Sequence, residues 1–168
     1  MLGFVRLVFF ALIALALSCL EHDRLAWWPL APDLPLALAA WSMVDGDDDG
    51  VVLRPWLVGV MRDLVAPGIG IGSGIGSGCY YMIAYGALGL CFLPLRAWLF
   101  RSRAIAWGGW ACICSLLLTA IDARLSGVAV HPARIAIISV FTALAAMAIG
   151  WLFSGLPTWL KPLRAGGA

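Results

Sequence analysis

The chain has 168 residues, 63% of them hydrophobic and only 12% charged, and its mean hydropathy is +0.98. A water-soluble domain of this length needs far more polar surface, so that class is excluded. A formal charge of +2 is also far from the basic surplus by which a nucleic-acid surface is recognised, and no nucleic-acid partner is expected.

The apolar residues gather into blocks of the length that crosses a hydrocarbon core about 30 Å thick. Four such blocks predict four helices, because a segment in lipid must satisfy its own backbone groups. The first, residues 5–20, reads "VRLVFFALIALALSCL". The same region, "MLGFVRLVFFALIALALSC", has the layout of a signal peptide, and "ALSC" that of a lipoprotein cleavage site. We read it as an uncleaved first helix, spanning residues 1–20.

Residues 21–72 form a long connection. It opens with "EHDRLAWWPLAPDLP", where Pro29, Pro32 and Pro35 rule out a regular helix. "LALAAWSM" then predicts a short apolar helix at a membrane interface. Four aspartates follow within five positions, in "VDGDDDGVVLRPW". Asp45, Asp47 and Asp49 with Gly50 match positions 1, 3, 5 and 6 of a calcium loop, but Trp56 stands where the bidentate glutamate belongs. The stretch is either a weak calcium site or a solvated acidic turn. Pro55 suits the first turn of a following interfacial helix, "WLVGVMRDLVA".

"GIGIGSGIGSG" places six glycines at alternate positions from 68 to 78. It has no G-x-G-x-x-G register and no following lysine, so it is not a phosphate cradle. It reads as a flexible entry to the second span, residues 76–95. The third span covers residues 104–121, and the fourth residues 135–153. In the fourth, Ala136, Ser139, Ala143, Ala146 and Gly150 recur at spacings of 3 and 4, a seam of small residues that packs closely against another helix.

The charges set the orientation. Arg6, Arg96, Arg101, Arg103, Lys161 and Arg164 flank one side of the four spans with no acid among them. All nine acids and the other five arginines fall on the opposite side. The positive-inside rule makes both termini cytoplasmic and residues 21–72 external. Tryptophans at 27, 28, 41, 56, 98, 107, 110, 151 and 159 fall where interfacial aromatic belts belong in that topology. Ten arginines against one lysine fit a GC-rich bacterial genome, hence an inner membrane. The five cysteines lie in or beside apolar blocks, where thiols act as small hydrophobes, and CxC in "ACIC" is not a redox CxxC. His22 and His131 read as solvated loop residues. No charge sits in the middle of a span, which argues against a transporter.

"YMIAYGALGL" and "LTAIDARLSGVAVHPARIAIISVFTALAAMAIG" resemble the VanZ-like family of small four-helix membrane proteins over about residues 79–152. The resemblance implies a site at the external face with Asp122 in the place of the family's glutamate, Arg124 beside it, and Arg134 as its loop arginine. The family's glutamine after the acid and its aspartate at the entry of the last helix are absent.

The expected architecture is therefore all-α: a polytopic membrane protein with four transmembrane helices and an external helix–loop–helix segment between the first and second. Residues 73–168 form a three-helix region with a cytoplasmic tail. The expected function is non-catalytic, as an accessory or assembly subunit of a respiratory or photosynthetic membrane complex. Its expected partners are the bilayer and other membrane subunits, with no cofactor beyond possible weak calcium. The alternatives are an envelope protein acting on a lipid-linked or amphiphilic molecule, or a membrane-anchored calcium module.

Overall fold

The computed structural model describes residues 2–25, 28, 30–45, 50–65, 79–95, 103–126 and 131–155. All regular structure among them is helical: α1 Leu2–Leu20 continuing into a π-helical turn Glu21–Leu25, α2 Leu34–Asp45, α3 Gly50–Val65, α4 Tyr80–Leu95, α5 Arg103–Ser126 and α6 Pro132–Gly155. Three stretches are long and apolar enough to cross a membrane, Phe4–Asp23, Ile105–Arg124 and Pro132–Phe153. The expected second span yields a helix of only 16 residues, about 24 Å long at 1.5 Å per residue. The expected start at Gly76 falls in the glycine run, whose residues 68–78 lie outside the described residues.

The helices alternate in direction. Gly59 of α3 meets Tyr81 and Met82 at the start of α4, whereas Gly89 near its end meets Val51 and Val52. Trp107 of α5 lies on Gly150, and Ser115 of α5 reaches Ser139 of α6. Both pairs are antiparallel hairpins. Asp33 at the head of α2 meets Thr142, and Trp41 further along stacks on Phe153, so α2 runs parallel to α6. The end of α1, the start of α2, the end of α3, the start of α4 and the end of α5 thus gather at one end of the bundle. Asp45, Gly50, Leu95, Arg103 and Phe153 gather toward the other.

Helix α2 occupies the centre rather than an interface. Asp33 caps it: its Oδ1 accepts the Leu36 N–H at 2.8 Å and its carbonyl accepts the Ala37 N–H at 2.9 Å. Pro35 costs nothing there, because N–H groups of the first turn have no helical acceptor. A helix apolar all round has no face to offer water, and every residue from Pro35 to Val44 is buried. α3, α5 and α6 pack around it. Trp110 of α5 points its Nε1–H at the Met43 sulfur at 2.9 Å, and the Trp41 and Phe153 rings stack at 4.7 Å. Trp41, Trp107 and Trp110 are therefore core residues. Of the tryptophans read as interfacial belts, Trp28, Trp56 and Trp151 are exposed, and Trp27, Trp98 and Trp159 fall outside the described residues or side chains.

Helix α3 begins five residues before Pro55, not at it. Proline has no N–H to give the Val51 carbonyl one turn back. α4 closes on that carbonyl with Gly89: a Cβ built there would lie 2.6 Å from the Val51 oxygen. Gly59 and Gly86 make similar close approaches to the Tyr81 and Met82 backbone and to the Trp56 side chain, so small residues set the α3–α4 distance.

Candidate functional site

Apart from Arg54, buried near the start of α3, the buried charge among the described residues collects at the bundle end where α1 stops and α2 starts. At its centre is Arg62 in the last turn of α3. Its Nη2 donates to Glu21 Oε1 at 2.9 Å, and its Nη1 donates to Asp33 Oδ2 at 2.5 Å and to the Tyr85 hydroxyl. The Tyr81 ring lies beneath the guanidinium, 4.0 Å from its carbon to the ring centroid, a cation–π arrangement in a dry setting. Desolvation by burial works against the charge on Arg62, and the neighbouring Asp33, Tyr85, Glu21 and Tyr81 outweigh it and hold the guanidinium protonated. The side chains of Arg62, Asp33 and Glu21 keep 12%, 17% and 23% of their surface exposed, which places the three below the solvated rim.

Each partner is fixed by a second bond. Glu21 sits in the π-helical turn at the end of α1, and its Oε2 accepts the Leu34 N–H at 3.0 Å. Asp33 accepts from Leu36 while its own N–H donates to Thr142 Oγ1 at 3.0 Å. Thr142 lies near the middle of α6, so a charged network reaches well down the bundle although no span carries a charge at its own centre. The short helices α2 and α3 bring the charges in.

A second carboxylate caps α4 from outside that helix. Asp63 accepts the Tyr81 N–H at 3.1 Å and the Met82 N–H at 2.8 Å, two of the donors a helix start leaves unsatisfied. Burial pushes its carboxyl up from the ordinary aspartate value, against the pull of those two donors and of Arg62. On the far side of α4, Tyr80 meets Asp122 from α5, and Asp122 also feels the fields of Arg62 and Asp33. Six segments of the chain therefore converge on one polar core.

Of the residues read as site candidates in the sequence, Asp122 joins this core. Arg124 and Arg134 are exposed, in the last turn of α5 and the first turn of α6. In the small-residue seam, Ala146 is fully buried, Ala143 lies against Gly108, and Ser139 and Gly150 face Ser115 and Trp107 of α5. Ala136 stands apart, exposed on the outer surface of α6. Asp45 ends α2 at the opposite end of the bundle from Glu21, Asp33 and Asp122, the acids with which the charge count grouped it. Asp47 and Asp49 lie outside the described residues, and among those described no three His, Cys, Asp or Glu side chains come together in a way that could hold a metal ion. His22 and His131 are exposed.

Glu21, Asp33, Arg62, Asp63, Tyr81, Tyr85 and Thr142 were not singled out from the sequence. Two signals pointed to them: a lone arginine–aspartate pair in the otherwise apolar "WLVGVMRDLVA", and an aspartate directly before the apolar run of α2, an N-cap signature. Comparison of the chain with protein-family models, with curated proteins and with solved structures gives no match.

Proposed function

We propose that the protein is a non-catalytic, multi-pass protein of the bacterial inner membrane, with both termini cytoplasmic. In this reading it works as an accessory or assembly subunit by packing against other membrane proteins. The carrying observation is that its polar core is closed upon itself. Arg62 is shared among Glu21, Asp33, Tyr85 and Tyr81, and each carboxylate is held by a backbone N–H as well. Groups engaged in this way lock helices together.

Outward, α1 presents Phe4, Val5, Val8, Phe9 and Leu12, and α6 presents Ile137, Val140, Leu144, Met147 and Trp151. These two faces are available for lipid or for neighbouring helices. Photo-crosslinking groups placed at Val8 and at Leu144 in cells test the reading. Discrete adducts with one or a few membrane proteins, recovered intact in mild detergent, are expected. Adducts with lipid alone, together with a stable isolated monomer, would overturn it.

One observation favours a second reading, an envelope protein acting on a lipid-linked or amphiphilic molecule through Asp122, Arg124 and Arg134. Asp122 is tied through Tyr80 to the same end of the bundle as the Arg62 core. An Asp122→Asn chain that supports normal envelope integrity under stress would exclude it.

A further inference from the structure

An apolar crevice of about 210 Å³ opens on the outer surface of α6, lined by Ala136, Ile137, Val140 and Phe141. No polar atom contributes to its wall. Its long direction follows the helix, since the four residues occupy one face over little more than a turn. Two features bracket it. Trp28, from the connection between α1 and α2, tilts onto Phe141 with ring centroids 5.9 Å apart while 40% exposed. Arg134 stands three residues before Ile137 and seven before Phe141, hence on the same face, and is exposed in the first turn of α6. Helical side chains lean toward the N-terminus, so Arg134 reaches away from the crevice toward the end of the span.

We propose that this face of α6 is a binding site for one anionic phospholipid, with part of an acyl chain in the Ala136–Phe141 crevice and the headgroup phosphate at Arg134. The order of groups along the helix matches that of the lipid: a cation at headgroup level, then an apolar slot one turn deeper. The Trp28 ring closes the deep end of the slot against Phe141. Charge selects the class. A guanidinium offers planar paired donors to a phosphate, and its attraction grows when the lipid carries net negative charge. The inference goes beyond the packing role proposed above, and rests only on α6 crossing the bilayer.

The test uses the full chain in detergent micelles doped with equal amounts of phosphatidylglycerol and phosphatidylcholine, with retained lipid counted by mass spectrometry of the intact protein. The wild type should retain phosphatidylglycerol about fivefold over phosphatidylcholine, the preference expected of one well-placed cation. Arg134→Gln should bring the ratio near one, and Ala136→Phe, which fills the crevice, should lower retention of both lipids. Leu117→Phe on the exposed face of α5 should change neither, and all three variants should keep the wild-type helical signal because the altered side chains are exposed. Equal retention of the two lipids by the wild type would overturn the proposal. So would an unchanged ratio in Arg134→Gln, or displacement of the lipid by inorganic phosphate. Loss of partner adducts at Val8 and Leu144 without loss of lipid selectivity would count against the packing role alone.

Discussion

Arg62 shows how much of this molecule rests on one side chain. It is the cation that two buried carboxylates share, so replacing it with an apolar residue of similar length leaves Glu21 and Asp33 uncompensated. Arg62→Met should cost about 3 kcal/mol or more, the scale found when one member of a buried ion pair is removed. Arg62→Lys should recover only part of this, because a point-like ammonium cannot offer separate nitrogens to both carboxylates. Thermal unfolding in a fixed detergent, followed by circular dichroism, checks the order wild type, lysine, methionine; equal stability for all three would mean the network carries no net weight. Asp33 separates two roles. Asp33→Asn keeps a capping oxygen for the Leu36 N–H and loses the charge, whereas Asp33→Ala loses both. The alanine variant should therefore fall below the asparagine variant by about 1 kcal/mol, the worth of a helix cap. If the two variants unfold together, the capping bond contributes nothing. This network was only faintly legible beforehand. The sequence displays Arg62 and Asp33 as ordinary loop and interface charges, and nothing in their spacing, 29 residues apart, announces a contact. Their meeting depends on how α2 folds back, a tertiary fact that local pattern does not encode.

Among the elements, the α3–α4 hairpin was the least expected and is the most sharply testable. Its two helices approach through Gly59, Gly86 and Gly89, residues that a sequence reading discounts as weak helix formers. A methyl group at Gly89 would sit 2.6 Å from the Val51 oxygen and 3.1 Å from the Val52 Cα, and at Gly59 it would press on the Tyr81 and Met82 backbone. Backbone cannot swing aside as a side chain can. Gly89→Ala and Gly59→Ala should each lower stability by about 1–3 kcal/mol, the range of overpacked cores. Gly109 on α5 is the internal control, since nothing lies within 4 Å of the place a methyl group would take there. Gly109→Ala should be neutral or stabilising by up to about 1 kcal/mol through helix propensity. A matched loss in all three variants would show that glycine matters here for reasons other than close approach. The fourth span was the most legible element: four of its five seam residues do face inward or toward α5, because a period of 3.6 marks a packing stripe whatever the partner. Which helix it met was not readable, and neither was the start of α3. Pro55 signals a first turn by propensity, but tertiary packing supplies Gly89 to cover the carbonyl that proline leaves bare.

At the scale of the whole molecule, the helical class and three of the four expected membrane-length helices followed from composition and block length alone. Threading did not, because α2 and α3, at 12 and 16 residues, fall below the length at which a hydropathy window registers a crossing. Counting residues 21–72 as one external segment then put every acid on one side. In the structure α2 runs down beside α6 and α3 returns, so their junction at Asp45 and Gly50 lies level with the end of α6, across the bundle from Glu21 and Asp122. The positive-inside rule does not resist this rearrangement: it weighs lysine and arginine near span ends and gives acids little influence. A pair of extra passes also leaves both termini on the same side. The two threadings separate in one experiment, with single-cysteine chains in intact cells and a membrane-impermeant maleimide. Cys79, exposed just before α4, and a cysteine introduced by Asp45→Cys should label from opposite sides of the membrane. The Asp45→Cys chain should react only after the cells are opened, and the Cys79 chain before. Labelling of both from the outside would restore the external acidic segment and would require α2 to leave the centre of the bundle.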